Sequence, residues 1–435
     1  MSLTGERTFV GFGLGAIQTG LFLYEAQASG NFGRLVVAEV IPETLRQVRE
    51  NNGYLTVNIA HPDHIETAQV GPIEVFNPAI DSDRQRLVEA LSTAHEIATA
   101  VPGVAFYGNP LEAASLSRIL ADGLLAHVAR GGPRAVIYAA ENHNHAAEIL
   151  CQQVFANIPI AEQHAILSQV RFLNTVIGKM SGVVVDQAEI TALSLTPMTF
   201  NGERAFLVEV FNRILISRID FSAPPFQRGI TTFVEKDNLL PFEEAKLYGH
   251  NATHALGAYL GALLNVRRIA DLAETPGMLT FLRRAFIEES GAALIHRYAG
   301  LDPLFSPEGY AAYADDLLMR MCNPNLSDAT DRVGRDVERK LGWDDRLIGT
   351  LRLGLSEGVL PTRYALGAAA ALVYLDSTYL NNTLDPAERL YPLWGNRESL
   401  PEQEAVLDLI RAGLDHLRRW YAKSPGDSLA LLENL

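Results

Sequence analysis

The stretch TFVGFGLGAIQTG occupies residues 8–20, and it decides the fold of the N-terminal half of the chain. Residues 8–12 are a short β-rich run, glycines crowd the next positions, and Leu21–Ala28 has the apolar periodicity of a helix. A second β-rich run, Leu35–Val40, follows two further glycines. A strand, a glycine turn, a helix and a second strand make a βαβ unit, which requires a parallel sheet.

Further apolar runs predict additional strands of the same sheet. They lie at Ala135–Ala139, at Val170–Phe172 and in the region 206–216, while the segment 111–129 has helical periodicity. The N-terminal half is therefore expected to be an α/β domain of the Rossmann-like, dinucleotide-binding kind.

The texture of the sequence changes at Ser222–Gln227, where prolines interrupt the chain. From Phe242 onward apolar residues recur three and four positions apart, as in 256–263, and prolines separate these stretches. We expect two domains: residues 1–225 form the nucleotide-binding domain, and residues 226–435 form a mainly α-helical catalytic and substrate domain.

Composition excludes several classes of protein. With 48% hydrophobic and 20% charged residues the chain is globular, and its net charge of −15 makes nucleic acid and anionic membranes poor partners. No apolar run reaches ~18 residues, and the N-terminus does not resemble a signal peptide. Cys151 and Cys322, the two cysteines, cannot build a disulfide framework or a cysteine zinc site. We expect a cytoplasmic protein with a small-molecule partner.

The glycine turn is a candidate nucleotide site. Gly11, Gly13 and Gly15 form overlapping G-x-G pairs between a strand and a helix, where the backbone can approach a pyrophosphate resting on helix amides. Gly13 and Gly15, with Ala16 and Ile17 at the helix start, are the predicted cofactor contacts. The strict G-x-G-x-x-G pattern is missing, so a turn without a ligand stays open.

Glu39, at the end of the second strand, strengthens the nucleotide hypothesis. A carboxylate there can accept both hydroxyls of an adenosine ribose and would repel the extra phosphate of NADP, so NAD is favoured. The alternative is a solvated acid at a strand end. Arg46 and Arg49 lie downstream and leave some use of NADP open.

A candidate catalytic constellation lies in Phe242–Gly257, FEEAKLYGHNATHALG. At ~100° per residue, Lys246, His250, Asn251 and His254 fall within about 140° of one helix face. Lysine can act as a base for an alcohol if burial or a nearby cation such as NAD⁺ lowers its pKa, and asparagine can donate a hydrogen bond to an alkoxide.

Two other interpretations of this helix remain open. One is a solvated polar face. The other is a zinc site, because His250 and His254 have H-x-x-x-H spacing, although the adjacent glutamate that a zinc hydrolase would need is missing at position 251.

The spacing Lys246-x₄-Asn251-x₂-His254 resembles the K-x₄-N-x₂-H signature of the polyol-specific long-chain dehydrogenases. Residues 288–291 (EESG), 138–142 (YAAEN) and 322–348 (CNPNLSDATDRVGRDVERKLGWDDRLI) are similar to further elements of that family. The last of these is especially similar to the mannitol-1-phosphate 5-dehydrogenase branch. The likeness touches both halves and extends over most of the chain.

The resemblance implies a role for each matching residue. Lys246 would be the general base, Asn142 and Asn251 would hydrogen-bond the developing alkoxide, and His254 would orient the substrate oxygen and the lysine. Hydride would pass to NAD without a metal ion, and Glu141 would belong to the cofactor site. The resemblance also implies a monomer.

The chain departs from the family pattern in two places. Gly178 and Lys179 stand where an acid and an arginine are common, and lysine cannot reproduce the planar two-pronged contact of arginine. In the glycine turn, Gln18 and Thr19 replace glycine and arginine of the mannitol-1-phosphate branch. These changes leave the substrate open.

A cationic stretch offers a candidate anion site. Five cations between Arg332 and Arg346 alternate with four acids, so a solvated ion-pair network is one interpretation and a phosphate or carboxylate clamp the other. The resemblance favours Arg332, Arg335 and Lys340 as the clamp.

A metal site at His143 and His145, with Glu148 as a third ligand, is a further alternative, but no fourth ligand is evident and the family is zinc-independent. We therefore predict no metal.

The leading functional hypothesis is the NAD-dependent interconversion of a sugar alcohol phosphate and a ketose phosphate, with mannitol 1-phosphate and fructose 6-phosphate as the simplest pair. The alternatives are a uronate reductase of the altronate/tagaturonate type and a NAD-binding protein without polyol turnover.

Overall fold

A computed structural model describes residues 5–109, 112–326, 328–381, 384–395 and 400–423. The chain divides into two compact units, Met1–Leu240 and Pro241–Leu435. This division falls later than the expected boundary at residue 225. The reason is a short strand at Val234–Lys236, beyond the prolines, which pairs in parallel with Leu215–Ser217 and so belongs to the sheet of the first unit.

The first unit alternates strands and helices. Its strands are β1 Arg7–Phe12, β2 Phe32–Ala38, β3 Leu55–Ala60, β4 Ile65–Val70, β5 Glu74–Phe76, β6 Ala94–Thr99, β7 Ala135–Ala139, β8 Val170–Val176, β9 Ser181–Val184, β10 Ala205–Glu209, β11 Leu215–Ser217 and β12 Val234–Lys236. Its α-helices are α1 Tyr24–Ala28, α2 Pro42–Glu50, α3 Asp81–Leu91, α4 Leu116–Ala129, α5 Ala146–Phe155, α6 Ile160–Gln169 and α7 Gln187–Ala192. A π-helical segment, Gln18–Leu23, leads into α1, and a 3₁₀ turn spans Val104–Tyr107.

The main sheet has the strand order β12-β11-β8-β7-β6-β1-β2-β5. Its strands from β8 to β5 are parallel, as the βαβ pattern predicts, and β11 joins antiparallel to β8. A second sheet has the order β4-β3-β10-β9. The region 206–216 was expected in the main sheet, but only β11 lies there. Its other strand, β10, pairs with β3 and β9 in the second sheet.

The strand periodicity places the core on both faces of the main sheet. On β1, Phe9 packs into the cluster that contains Phe22 and Tyr138, whereas its neighbour Val10 packs into the opposite cluster with Ile137. Successive side chains of a strand point to opposite faces, and both faces here are covered. The predicted helix at 111–129 is confirmed as α4 from Leu116, while residue 111 lies outside the described residues.

The second unit is helical, as predicted. Its α-helices are α8 Leu240–Glu244, which begins at the boundary, α9 Ala252–Leu263, α10 Met278–Arg284, α11 Ala292–Arg297, α12 Pro307–Met321, α13 Thr330–Gly334, α14 Val337–Lys340, α15 Arg346–Ser356, α16 Thr362–Leu375, α17 Thr378–Asn381, α18 Ala387–Leu393 and α19 Pro401–Lys423. Two segments, Ala245–Asn251 and Ala285–Gly291, are π-helical, and 3₁₀ turns lie at Ile269–Glu274 and Pro303–Phe305.

The helix α16 forms the centre of this unit. It is rich in alanine, is buried along most of its length and packs against both α9 and α19. The Tyr364 hydroxyl on α16 lies 2.7 Å from the Thr253 hydroxyl and 3.2 Å from that of Ser290, so α9 and the segment Ala285–Gly291 are tied to one helix. Among the described residues, no helix combines the length and the apolar character needed to cross a membrane.

Candidate functional site

The glycine turn after β1 has the geometry of a nucleotide loop. Gly13 adopts a φ of +83°, and a Cβ there would lie 2.8 Å from the Ala100 carbonyl oxygen, so the position requires glycine. Gly15 differs, because no protein atom lies within 4 Å of where its Cβ would be. The helix starts directly afterwards at Ala16 and Ile17. The backbone at Gly15 is therefore open to a ligand that approaches the helix N-terminus.

Glu39 lies beside this turn. Its carboxylate accepts hydrogen bonds from the backbone N–H of Leu14 at 3.1 Å and of Ile41 at 2.8 Å. The side chain is buried at the carboxyl end of β2, on the same edge of the sheet as the turn. These two bonds fix the carboxylate beside the glycine turn.

Arg46 and Arg49, the two arginines that could bind the extra phosphate of NADP, both bond to protein groups. The Arg46 guanidinium is held by Glu43 and Glu50, and Arg49 donates to Asp83 at 2.6 Å and to the Val75 carbonyl at 2.9 Å. Neither guanidinium is presented as a free phosphate ligand, which favours NAD over NADP.

The departure at position 18 has a structural explanation. Gln18 is fully buried, and its side-chain amide would lie 2.2 Å from a Cβ on Gly11, so the amide packs directly on the β1 backbone. Gln18 thus fills the space between helix and strand that a third glycine would leave open. Its amide atoms have no hydrogen-bond partner among the described residues.

Glu141 and Asn142 follow β7 at the same edge of the sheet. Glu141 is buried and accepts from the Thr99 hydroxyl at 2.8 Å, from the Val101 N–H at 3.0 Å and from the Tyr107 hydroxyl. Burial raises the pKa of this carboxyl despite these donors. Its oxygens hold the loop after β6, so we expect it to shape the cofactor site rather than to bind cofactor as a free carboxylate. Asn142 is exposed beside it.

The two residues that depart from the family pattern, Gly178 and Lys179, have different surroundings. Lys179 is buried, and its ammonium donates to the Phe211 carbonyl at 3.2 Å, to Asn212 Oδ1 at 2.6 Å and to the Glu209 carbonyl. It therefore closes the loop after β10. At Gly178 a Cβ would have only the Phe211 ring near it, at 3.9 Å, so this position has room for a side chain.

Lys246 and Asn251 lie on the π-helical segment Ala245–Asn251, and His254 lies on α9, which continues it without a break. In a π-helix the backbone hydrogen bonds join residues five apart, so one turn takes more residues than in an α-helix and positions i and i+5 lie closer to one face. Asn251 is five residues after Lys246. The segment therefore brings the two side chains closer to one face than the α-helical spacing predicts.

Close packing accompanies the wide turn. A Cβ on Gly249 would lie 2.8 Å from the Phe286 ring and 2.6 Å from the Tyr310 hydroxyl. Phe286 belongs to the other π-helical segment, Ala285–Gly291. In that segment Glu289 accepts from the Arg363 and Tyr364 N–H groups at 2.9 and 3.1 Å, so the EESG motif anchors the start of α16.

Lys246 has the electrostatic environment of a base. Burial, and next to it the Arg346 guanidinium, lower the pKa of its ammonium to about 8. Burial and the surrounding cations also hold the pKa of His250 well below its usual value, so this buried ring is neutral at pH 7. A neutral amine is therefore accessible at Lys246 near physiological pH.

His254 lies beside an acid that the sequence did not single out. Its Nε2 lies 3.3 Å from Asp328 Oδ2, and the other oxygen of Asp328 accepts from Arg332. Burial acts to raise the pKa of Asp328, but the His254 ring and the Arg332 guanidinium outweigh it and keep that pKa below its usual value. Asp328 is the last residue of the motif NPNLSD, so the sequence contains it within a family element but does not indicate that it lies beside His254.

The predicted cationic clamp is not one cluster of free charges. Lys340 is buried and donates to the Val333 carbonyl at 2.6 Å and to the Arg335 carbonyl, so its ammonium closes the turn after α13. Arg332 is committed to Asp328. Arg335 has 69% of its side chain exposed and lies 3.9 Å from Asp336. Of the three charged groups, that of Arg335 is the most exposed to solvent.

The candidate metal ligands His143 and Glu148 make separate hydrogen bonds. Glu148 accepts from the Asn174 amide at 2.8 and 3.0 Å, and His143 Nδ1 accepts from the His145 N–H at 3.0 Å. Within the part of the chain that the structure describes, no group of three His, Cys, Asp or Glu side chains is arranged to hold a metal ion.

The chain resembles known proteins both in one sequence domain and in its fold. Residues 238–412 match the model of the mannitol dehydrogenase C-terminal domain. Among solved structures, a substrate-free D-sorbitol dehydrogenase matches 97% of this chain and 94% of its own, with a TM-score of 0.74 and 13% identity. Pseudomonas fluorescens mannitol 2-dehydrogenase, in a ternary complex with NAD and D-mannitol, matches 97% of this chain and 95% of its own, with a TM-score of 0.69 and 17% identity. The structural matches establish the fold, and the match to the mannitol dehydrogenase C-terminal domain covers most of the helical unit, including its Lys246 segment.

Proposed function

We propose that the protein is an NAD-dependent polyol dehydrogenase that uses Lys246 as its general base. The observation that carries the proposal is the depressed pKa of Lys246, about 8, on a wide helical turn that also presents Asn251 and leads to His254. The matched domain and the NAD and D-mannitol described for a protein of the same fold support it.

The residues of the first unit fit the adenosine and pyrophosphate ends of NAD. Gly13 shapes the turn, Gly15 is open above its Cα, and Glu39 is fixed beside them by backbone N–H groups. Ala16 and Ile17 carry the helix N–H groups that would face a pyrophosphate. When bound, NAD supplies the acceptor for the hydride of the carbinol carbon.

The proposed chemistry of the protein's own groups follows from their environments. Neutral Lys246 removes the proton of the reacting hydroxyl, and Asn251 donates a hydrogen bond to the alkoxide that develops. His254, oriented by Asp328, donates or accepts at the same oxygen and so fixes the hydroxyl relative to the lysine. The resemblance adds Asn142, in the first unit, as a second donor to the alkoxide.

For the substrate, we propose mannitol 1-phosphate and fructose 6-phosphate, because the segment 322–348 resembles the mannitol-1-phosphate branch. A uronate such as tagaturonate is the second candidate, since the cations of the helical unit suit a carboxylate as well as a phosphate. Both candidates share an oxyanion at one end of a polyol chain.

The lysine is tested by two substitutions at one position. Lys246→Ala is expected to abolish polyol oxidation while NADH binding, followed by fluorescence, stays within about threefold of the wild type. Lys246→Arg is the matched control, because it keeps the positive charge but cannot become neutral near pH 8. An active Lys246→Arg enzyme, or an unchanged kcat in Lys246→Ala, would exclude the base assignment.

The substrate is tested with a panel of mannitol, mannitol 1-phosphate, sorbitol and altronate with NAD and NADP, followed at 340 nm. The proposal expects turnover of a charged polyol with NAD. Turnover of altronate alone would favour the uronate alternative. Tight NADH binding without an absorbance change for any substrate would identify a NAD-binding protein without polyol turnover.

A further inference from the structure

Arg346, the first residue of α15, is a cation whose position the motif analysis did not explain. Only 12% of its side chain is exposed. Its Nε donates to Asp345 Oδ1 at 2.9 Å, and the other oxygen of Asp345 accepts from Arg339 at 3.0 Å. Arg346 therefore shares its one carboxylate with Arg339, which also lies 3.8 Å from Asp336.

The terminal amino groups of Arg346 are unsatisfied donors. A guanidinium carries five N–H donors, and within the described part of the chain only the one on Nε has an acceptor. A largely buried guanidinium with unpaired donors is unfavourable unless an acceptor is supplied. The terminal amino groups of Arg346 are not fully enclosed by protein atoms, so they are open to solvent and to the oxygen atoms of a ligand.

The packing of α15 places this cation beside the Lys246 segment. Thr350, one turn after Arg346, donates to the Tyr248 carbonyl at 3.1 Å. A Cβ on Gly349 would lie 2.4 Å from the Tyr248 ring, so helix and segment are in direct contact at the first turn of α15. The charge of Arg346 lowers the pKa of both Lys246 and His250, which agrees with a guanidinium that faces them.

Three other cations of this unit have acceptors, and a fourth is exposed. Arg332 is bonded to Asp328, Lys340 to two backbone carbonyls, and Arg320 to Asp316 at 2.9 Å. Arg335 is largely exposed on α13's C-terminal side. Arg346 thus combines burial, unpaired donors and proximity to Lys246.

We propose that Arg346 binds the oxyanion of the substrate, a phosphate or a carboxylate, through its two terminal amino groups. Planar paired N–H donors match two oxygens of either anion. The inference rests on the proposed function for the identity of the substrate, and it makes Arg346, rather than Lys340, the residue that selects charged over uncharged polyols.

The experiment is a calorimetric titration of the full chain, with and without NAD⁺, which does not react with a ketose, using fructose 6-phosphate, tagaturonate and uncharged fructose as probes. Arg346→Met is expected to weaken the binding of a charged probe by about 30- to 100-fold, the loss typical of hydrogen bonds to a charged group, and that of fructose by less than about threefold. Arg346→Lys should recover part of the loss. Arg389→Met removes a cation that is paired with Glu338 elsewhere in the unit, and it serves as the charge-matched control.

Each outcome decides the question. A selective loss for fructose 6-phosphate identifies a phosphate site, and one for tagaturonate a carboxylate site. Equal losses for charged and uncharged probes, a similar loss in Arg389→Met, or a wild type that binds neither anion would overturn the inference. Arg346-dependent anion binding without any polyol turnover would refute the proposed dehydrogenase activity alone, whereas turnover with Arg346-independent binding would refute only this inference.

Discussion

The pH dependence of polyol oxidation provides the sharpest test of the Lys246 site. The base must be neutral to accept a proton, so the rate should follow the neutral fraction of this amine. With a pKa of about 8, kcat/KM for oxidation is expected to rise about tenfold per pH unit below pH 8 and to level off above it. Ketose reduction needs the protonated lysine and should decline above the same pH.

The size of the effect follows from the environment of Lys246. At pH 7 an amine with a pKa of about 8 is neutral in about one molecule in ten, whereas one at the usual 10.5 is neutral in about one in three thousand. The environment of Lys246 thus raises the neutral fraction of its amine at pH 7 by about 300-fold, which corresponds to about 3 kcal/mol. Burial contributes the larger part and the Arg346 charge the next.

The assay is the initial rate of absorbance change at 340 nm between pH 6 and pH 10. An uncharged polyol is used where the enzyme accepts one, so that ionisation of the substrate does not contribute. In Arg346→Met the inflection should move upward from about 8, towards 10.5, because a repulsive charge is removed. A profile that is flat from pH 6 to pH 9, or an inflection that moves downward in the variant, would refute the reasoning.

Three further predictions concern single residues. Asp328→Asn should lower kcat by about 100-fold through loss of the charge that orients His254, with NADH affinity unchanged; a fall in NADH affinity alone would contradict this. Glu39→Ala should weaken NAD binding by about 10-fold and improve the NADP-to-NAD ratio of kcat/KM, whereas the paired Arg46→Ala should leave that ratio unchanged. Gly178→Asp should fold with a melting temperature near that of the wild type, since a Cβ at this position meets only the Phe211 ring at 3.9 Å; a clearly lower melting temperature would show that the position does not accept a side chain.

The fold of the first unit could be predicted from local patterns because its strands are short and bounded by glycine or helix signals. The β-rich run at residues 8–12 and the glycine turn that follows it predict β1 and the turn at Gly13. The separate second sheet was not, because β10 pairs with β3 from far away in the chain and its apolar run looks like any buried strand. The domain boundary was set too early for a similar reason, since prolines mark a break in local structure but not which sheet the next strand joins.

The candidate site was predictable in its residue types but not in its charge balance. A list of cations and acids between Arg332 and Arg346 does not reveal which pairs form. The fold commits Arg332 and Lys340 to partners and leaves Arg346 with unpaired donors. Lys179 is a second example. In the sequence, a lysine where the family commonly has arginine suggests altered chemistry, but in the structure its ammonium donates to three acceptors and closes the loop after β10.

The spacing of the signature itself has a physical reason that the sequence could not supply. Five residues separate Lys246 from Asn251, which an α-helix would place about 140° apart but a π-helical turn brings closer to one face. Such a turn is less stable than an α-helical one and needs support from packing. Here Gly249 allows the Phe286 ring and the Tyr310 hydroxyl to approach the segment, and Thr350 holds it from the side of α15. The helix that bears Arg346 therefore also supports the wide turn that aligns the base with Asn251, so the proposed charge selection and the alignment of the base depend on the same contact.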